Sequence, residues 1–177
     1  MNILIPDSWL REYLKTDANP ADIQRCLSLC GPSIERTDTI GNDVIYDIEV
    51  TTNRVDSYSV YGIAREAAAI LPEFGFRATL MPLDLSHPKA KNLPKLDIRI
   101  TDPDKLCRRI LAIKISNVTL APSPKWISER LEKVGQRPLN NIIDVTNYVM
   151  WETGLTSHAF DYDRLPHKTI LVRKAKK

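Results

Sequence analysis

Residues 140–165 contain the side chains of this sequence that are best suited to chemistry. They read NNIIDVTNYVMWETGLTSHAFDYDRL, in which amides, a threonine and a histidine stand among apolar residues. Thr146 and Asn147 are neighbours that point about 100° apart in a helix, so Asn147 can face a pocket to which His158 returns. Hydroxyl, amide and imidazole groups bind neutral polar ligands and position water. We therefore predict a neutral polar pocket formed by Thr146, Asn147 and His158.

A purely structural role accounts for the same three residues. Thr146 and Asn147 can satisfy nearby backbone groups, and His158 can pack in a core. The stretch TTNRVDS is similarly ambiguous, because Arg54 can either stabilise a turn or bind a phosphate. The turn is favoured for Arg54, whereas both interpretations of the pocket residues stay open at this point.

Several catalytic classes are unsupported because their sequence motifs are missing. The chain contains no P-loop, GxGxxG, HExxH or GxSxG motif. We therefore expect neither nucleotide activation nor a bound cofactor within this chain. The cysteines are odd in number and have no paired CxxC spacing, so neither a disulfide framework nor a zinc site is indicated. This pattern fits a reducing cytoplasm.

The composition is ordinary for a soluble globular protein. Hydrophobic residues make up 43% and charged residues 27% of the 177 residues. The net charge of +3 is compatible with nucleic acid binding but does not indicate a strongly basic face. The sequence has no signal-peptide pattern and no run of about 18 apolar residues. We expect a cytoplasmic protein that makes no membrane contact.

Capping residues and apolar spacing predict the elements that position the pocket. The pocket helix has Asn141 as its N-cap and Gly154 as its end, and we expect it to be buried on most sides. The preceding helix is predicted with Ser123 as N-cap, Pro124 as first residue and Gly135 as its end. Strands are predicted at residues 96–100, 109–118 and 168–173.

Three helices and a strand are predicted nearer the amino terminus. Asp7 is the expected N-cap of the first helix and Asn19 that of the second, which gives a helix-turn-helix arrangement. Alternating polarity predicts the strand at residues 44–50. The third helix is predicted to be capped by Asp56 or Ser57.

The fold class predicted from these elements is α+β. A proline-rich linker at residues 81–95 separates a small helical and stranded domain at residues 1–80 from a partial mixed α/β domain at residues 96–177.

Three stretches of the chain resemble the beta subunits of bacterial phenylalanyl-tRNA synthetases. The start MNILIPDSWLREYL with LCGPSIE resembles the start of that subunit, and IEVTTNRVDSYSVYGIAREAAAIL resembles the end of its first domain. The stretch from PSPKWISERLEKVG to HAFDYDRL resembles its editing domain. The resemblance implies that Thr146 and Asn147 bind the substrate in an editing pocket. It also implies a catalytic position for His158, which orients the ester or the terminal ribose.

The function implied by the resemblance is part of phenylalanine–tRNA ligase activity. In this family a hydrolytic site removes tyrosine from misacylated tRNA(Phe). The implied partners are the alpha subunit and tRNA(Phe), in a holoenzyme of two alpha and two beta subunits. ATP and Mg²⁺ are implied for the holoenzyme and not for this chain.

The sequence departs from the family pattern in three places. Only seven residues, 37–43, separate IER from the strand at residues 44–50, which is too few for the OB-fold tRNA-binding module of the common arrangement. Residues 155–157 stand where the family more often has a proline, and the family's editing domain continues beyond residue 177. We therefore expect this chain alone to edit poorly. The alternative is a free-standing, non-catalytic ligand- or RNA-binding protein of the same fold.

Overall fold

The structure is a computed structural model that describes residues 1–86, 96–101 and 104–175. Residues 87–95 of the predicted linker lie outside the described residues. The described chain forms two compact units, of which the first comprises residues 1–85 and 120–158 and the second comprises residues 86–119 and 159–177. Helices and small sheets together make an α+β fold, as predicted. The division into domains at residues 81–95 stays a prediction.

The helices and strands are named here in chain order. They are β1 (Asn2–Pro6), α1 (Asp7–Tyr13), β2 (Leu14–Thr16), α2 (Pro20–Cys30), β3 (Ser33–Ile40), β4 (Asp43–Glu49), α3 (Val60–Ile70), β5 (Ala78–Leu80), β6 (Asp97–Thr101), α4 (Lys125–Lys133), α5 (Asn141–Thr153) and β7 (Thr169–Arg173).

An antiparallel sheet of strand order β1-β4-β3 forms one side of the first unit. The predicted strand at residues 44–50 is confirmed as β4, which pairs Ile48 with Ile3 of β1 and Ile34 of β3. A tight turn joins β3 to β4, with Gly41 at φ 62°, a left-handed conformation that glycine adopts without strain. The two strands are therefore connected directly, and no OB barrel is inserted between them.

The apolar core of the first unit lies between this sheet and helices α1, α2 and α3. Trp9, Leu27 and Ile63 are fully buried there, one from each helix, together with Ile48 of the sheet. Each such side chain contributes about 1.5–3 kcal/mol relative to an exposed one. Burial of one face of each helix therefore holds the helices on the sheet.

The observed helix caps are the predicted ones where the capping contact is local in sequence. The Asn19 side chain accepts a hydrogen bond from the Asp22 N–H, as predicted. Asp7 does not cap α1, because Pro6 holds the N-cap position and the Asp7 carboxylate accepts from the Tyr46 hydroxyl instead. The short strand β2 follows α1, so the predicted helix-turn-helix is not formed.

Helix α3 begins later than the sequence predicts. Its N-cap is Ser59, whose side chain accepts from the Gly62 N–H at 2.9 Å. Asp56 and Ser57, the predicted caps, lie in a preceding 3₁₀ turn. There Asp56 pairs with arginines instead of capping the helix.

The second unit contains a parallel pair of strands. The predicted strands at residues 96–100 and 168–173 are confirmed as β6 and β7, which pair Ile98 with Ile170. The predicted strand at residues 109–118 is wrong, because this stretch has no regular secondary structure. The alternation of apolar with other residues in this stretch favours a strand. A strand also needs a partner for its backbone N–H and C=O groups, and none is present among the described residues.

The described residues contain no helix that is both long and apolar enough to cross a membrane.

Candidate functional site

Helix α5, which carries two of the predicted site residues, has defined caps at both ends. The Asn140 side chain accepts from the N–H groups of Ile142 and Ile143, both at 3.1 Å, so Asn140 and not the predicted Asn141 is the N-cap. The Asn141 side chain instead accepts from the Ala121 N–H. Gly154 ends the helix at φ 80°, as predicted.

A buried carboxylate anchors the first turn of α5. Asp144 is 1% exposed and accepts hydrogen bonds from the Ser123 hydroxyl and, at 2.8 Å, from the Leu139 N–H. Ser123 is therefore a partner of Asp144 and not the predicted cap of α4, whose N-cap position is held by Pro124. These bonds fix the segments before α4 and α5 together.

Arg130 of α4 joins α4 to α1 and α5. Its guanidinium donates to the Tyr148 hydroxyl at 2.7 Å and pairs with Glu12. It also lies 5.2 Å from the Trp9 ring centroid and 5.6 Å from that of Trp126, within cation–π range. One arginine therefore contacts groups on three helices.

Glu152 continues this network from α5 to α1. Its carboxylate accepts from the hydroxyls of Tyr13, at 2.6 Å, and Tyr148, at 3.0 Å. Burial and the neighbouring Glu152 carboxylate raise the pKa of Tyr148 to about 12. Both tyrosines therefore stay protonated and keep donating at physiological pH.

These contacts hold α5 against the rest of the first unit. Tyr148 and Trp151 pack on the core, whereas Val145 is 46% exposed. Asp144 is the only α5 residue that is fully buried. The other α5 residues except Val145 are only partly exposed, so packing covers most of the helix surface, as predicted.

The structure places the three predicted site residues on α5 and in the segment that follows it. Thr146 and Asn147 are partly exposed on α5, and His158 is exposed after the Gly154 cap. The Thr146 hydroxyl donates to the Ile143 carbonyl at 2.7 Å, as the structural alternative expects. Within the described residues, the Asn147 amide and the His158 imidazole form no hydrogen bond, and His158 does not pack in a core. The pocket that would unite the three stays a prediction.

Arg54 is held by its neighbours. Its guanidinium bonds Asp56 at 3.1 Å, Glu66 at 2.5 Å and the Ser57 hydroxyl at 3.1 Å. The hydrogen bonds that Arg54 donates to the Asp56 and Glu66 carboxylates hold its pKa above the ordinary value. This arginine stabilises the turn and the start of α3, so it is not available to a phosphate.

The cluster around Arg130 was not predicted from the sequence. Trp126 and Arg130 are four residues apart on α4, so they lie on one helix face. This spacing is the one feature of the sequence that indicates a contact between them. Their partners Trp9, Glu12 and Tyr148 are distant in sequence, so the cluster could not be assembled without the fold.

Among the residues that the structure describes, no group of three histidine, cysteine or acidic side chains can hold a metal ion.

The chain is similar to known proteins over most of its length. Residues 106–177 match the B3/4 domain family. The chain is 42% identical to the phenylalanine–tRNA ligase beta subunit of Clostridium acetobutylicum over 146 residues, which cover 82% of this chain and 18% of that protein. It is 33% identical to the beta subunit of Rhodopirellula baltica over 180 residues, which cover 98% of this chain and 25% of that protein. The chain spans about a fifth of the length of the curated relatives it matches.

Proposed function

Because this chain is similar to phenylalanine–tRNA ligase beta subunits over most of its length, we propose that it contributes to tRNA aminoacylation with phenylalanine. The observation that carries this proposal is the similarity to the Rhodopirellula baltica protein, which runs through 98% of the chain. The similarity therefore includes both the amino-terminal stretches and residues 140–165. The match of residues 106–177 to a B3/4 domain supports the same conclusion.

Within this function we propose that the α5 region belongs to a site that hydrolyses tyrosyl-tRNA(Phe). Tyrosine differs from phenylalanine by one hydroxyl, and an apolar pocket rejects such an analogue by only about a hundredfold. A second, hydrolytic pocket removes the resulting errors. Such a pocket must hydrogen-bond a neutral ester and a water molecule, for which uncharged polar side chains are suited.

Each predicted site residue has a role in this proposal. Asn147 and Thr146 hydrogen-bond the aminoacyl group or the attacking water, and His158 orients the ester or the terminal ribose. Water attacks the ester carbonyl carbon, the bond to the ribose oxygen breaks, and the ribose oxygen takes up a proton. The products are free tyrosine and tRNA with an intact terminal ribose. The Asn147 amide and the His158 imidazole are suited to this because no described residue bonds either of them.

The proposal assigns the remaining components to a larger assembly. The partners are the alpha subunit and tRNA(Phe), in a complex of two alpha and two beta subunits in the cytoplasm. ATP and Mg²⁺ serve the synthetic reaction of that assembly. We expect no synthetic site and an incomplete editing site in this chain.

One observation favours a second candidate function, a free-standing ligand- or RNA-binding protein without catalysis. The turn at Gly41 joins β3 directly to β4, at the position where the common family arrangement inserts its tRNA-binding module. A chain without that module must obtain its tRNA contacts elsewhere or serve another ligand.

Hydrolysis by the native complex that carries this chain tests the editing proposal. The complex is mixed with tyrosyl-tRNA(Phe), and the rate of tyrosine release is compared among the parent, the Asn147→Ala variant and the His158→Ala variant. We expect the single-turnover rate to fall at least tenfold in both variants, while charging with phenylalanine is unchanged.

His167→Ala and Asn53→Ala are the matched controls, because each removes the same kind of side chain from an exposed position elsewhere. They should hydrolyse tyrosyl-tRNA(Phe) at the parental rate. Equal rates in the parent, site variants and controls would refute the site assignment. Failure of the complex to charge tRNA(Phe) would refute the function itself.

A further inference from the structure

The charges of the chain are divided unequally between the two compact units. The second unit holds 14 of the 25 basic residues but only five of the 22 acidic ones. The first unit holds 11 basic and 17 acidic residues. The modest net charge of the whole chain therefore conceals a strongly basic second unit, a composition that favours a polyanionic partner.

Three cations of the second unit stand close together in sequence and are exposed to solvent. Lys105, Arg108 and Arg109 fall within five consecutive residues. None of the three side chains forms an ion pair with any residue that the structure describes. Like charges this close repel one another, and a bound anion would reduce that repulsion.

Most of the other described cations of the second unit have an acidic or aromatic partner, and Arg173 donates to the Lys174 carbonyl instead. Arg99 pairs with Asp97, Lys168 with Asp163, Arg164 with Asp161 and Lys174 with Asp104. Lys114 lies 3.9 Å from the centroid of the Tyr162 ring. The four acidic residues of the described second unit are thus already engaged, which leaves none for the cluster.

The cluster borders a concave surface. Lys105 and Arg108 line an open depression of about 420 Å³ together with Ile100 and Cys107. Two cations at the edge of one depression can bind a single phosphate from two directions, and arginine does so with paired donors.

We propose that Lys105, Arg108 and Arg109 form a contact site for the phosphates of an RNA backbone. The choice of RNA among polyanions rests on the proposed function, whereas the cluster and the charge division do not. Contacts of this kind position an RNA without reading its sequence. The site also supplies RNA contacts to a chain in which β3 and β4 are joined without an inserted module.

Fluorescence anisotropy with labelled RNA tests the site on the full 177-residue chain. The probes are a tRNA(Phe) transcript and an unrelated RNA hairpin of equal length, each titrated over a series of salt concentrations. The variant carries Lys105→Gln, Arg108→Gln and Arg109→Gln together. We expect binding of both RNAs to weaken at least tenfold, and the slope of log affinity against log salt to decrease in size by about two.

The matched control carries Lys15→Gln, Arg25→Gln and Lys125→Gln, which remove three exposed charges from the first unit. Binding by this control within twofold of the parent supports the site. Equal weakening in both triple variants would overturn it, because net charge alone would then explain the effect. Two competitors are added at the same ionic strength and the same total charge. Displacement of RNA by sodium phosphate would overturn the site in favour of a free-phosphate site, and displacement by polyglutamate would overturn it in favour of an acidic protein partner.

The RNA-contact site and the proposed function can fail independently of each other. Loss of RNA binding in the cluster variant would support the site even if the native chain had no ligase partner. Absence of RNA binding by the parent would overturn the site, while the composition of the native complex would still decide the function.

Discussion

At the scale of single residues, Gly62 is the position where the fold tolerates no side chain. A Cβ at Gly62 would collide with the Asp56 carbonyl and lie 2.9 Å from the Ser57 Cα, both of which are backbone atoms. Gly62→Ala should therefore lower the free energy of unfolding by about 1–3 kcal/mol, despite the better helix propensity of alanine. Urea unfolding measures this.

Ala69→Gly, on the exposed face of α3, is the control for helix propensity alone and should cost about 1 kcal/mol. A midpoint for Gly62→Ala equal to or above the parental one would contradict the close approach of α3 to the preceding turn.

Asp43 makes the free energy of unfolding depend on pH. Burial alone would raise its pKa, but hydrogen bonds from Lys133, at 2.7 Å, and Ser8, at 2.6 Å, outweigh burial and hold the pKa below the ordinary value. A carboxyl with a lowered folded-state pKa stabilises the fold above its unfolded pKa, about 4, and loses that contribution as pH falls through the folded value.

The prediction for Asp43→Asn is a free energy of unfolding that is lower than the parental one near neutral pH and approaches it below about pH 4. Urea unfolding over a pH series measures the difference. Glu35→Gln, at an exposed position of β3, is the control and should follow the parent. A difference for Asp43→Asn that does not change with pH would exclude this role.

Single residues were predictable from the sequence where their partners are local. Asn19 bonds a backbone group three residues away, and Gly154 ends α5 through its own conformation. Asp7 and Ser123 were mispredicted as caps because Tyr46 and Asp144, their actual partners, become neighbours only through the fold.

At the scale of elements, Arg130 holds α4 and α5 on the rest of the first unit. Its planar guanidinium contacts the Tyr148 hydroxyl, the Glu12 carboxylate and nearby rings, a set that a lysine cannot reproduce. Arg130→Lys should lower the free energy of unfolding by about 1–3 kcal/mol in urea. Arg137→Lys, in the connection between the two helices, should have little effect. Equal stability of the two variants would contradict the role of Arg130.

The stretch at residues 109–118 differs most from its predicted structure. Leu111, Ile113 and Ile115 alternate as in a strand, but they are 80%, 85% and 71% exposed. The sequence could predict the propensity of this stretch but not the absence of a pairing partner among the described residues.

Hydrogen exchange at residues 109–118 tests this difference directly. Unpaired amides exchange without an opening reaction, so this stretch should exchange orders of magnitude faster than β4, which is paired on both sides. Protection comparable to that of β4 in the isolated chain would show that residues 109–118 do form a paired strand.

At the scale of the whole molecule, fold class was predictable from element patterns, whereas the distribution of charge was not. The sequence yields a net charge of +3, and only the grouping of residues into two units reveals the basic second unit. The candidate site was predictable only in part: residue types indicated Thr146, Asn147 and His158, but the network that fixes α5 depends on contacts distant in sequence.

The mass and composition of the native protein test the central claim most directly. An antibody raised against this chain is used to isolate its native form from cell extract, and the product is analysed by mass spectrometry. We predict a polypeptide several times larger than 20.1 kDa that co-purifies with a second subunit and charges tRNA(Phe) with phenylalanine. A native product of 20.1 kDa without a partner subunit would contradict the claim and favour a free-standing binding protein.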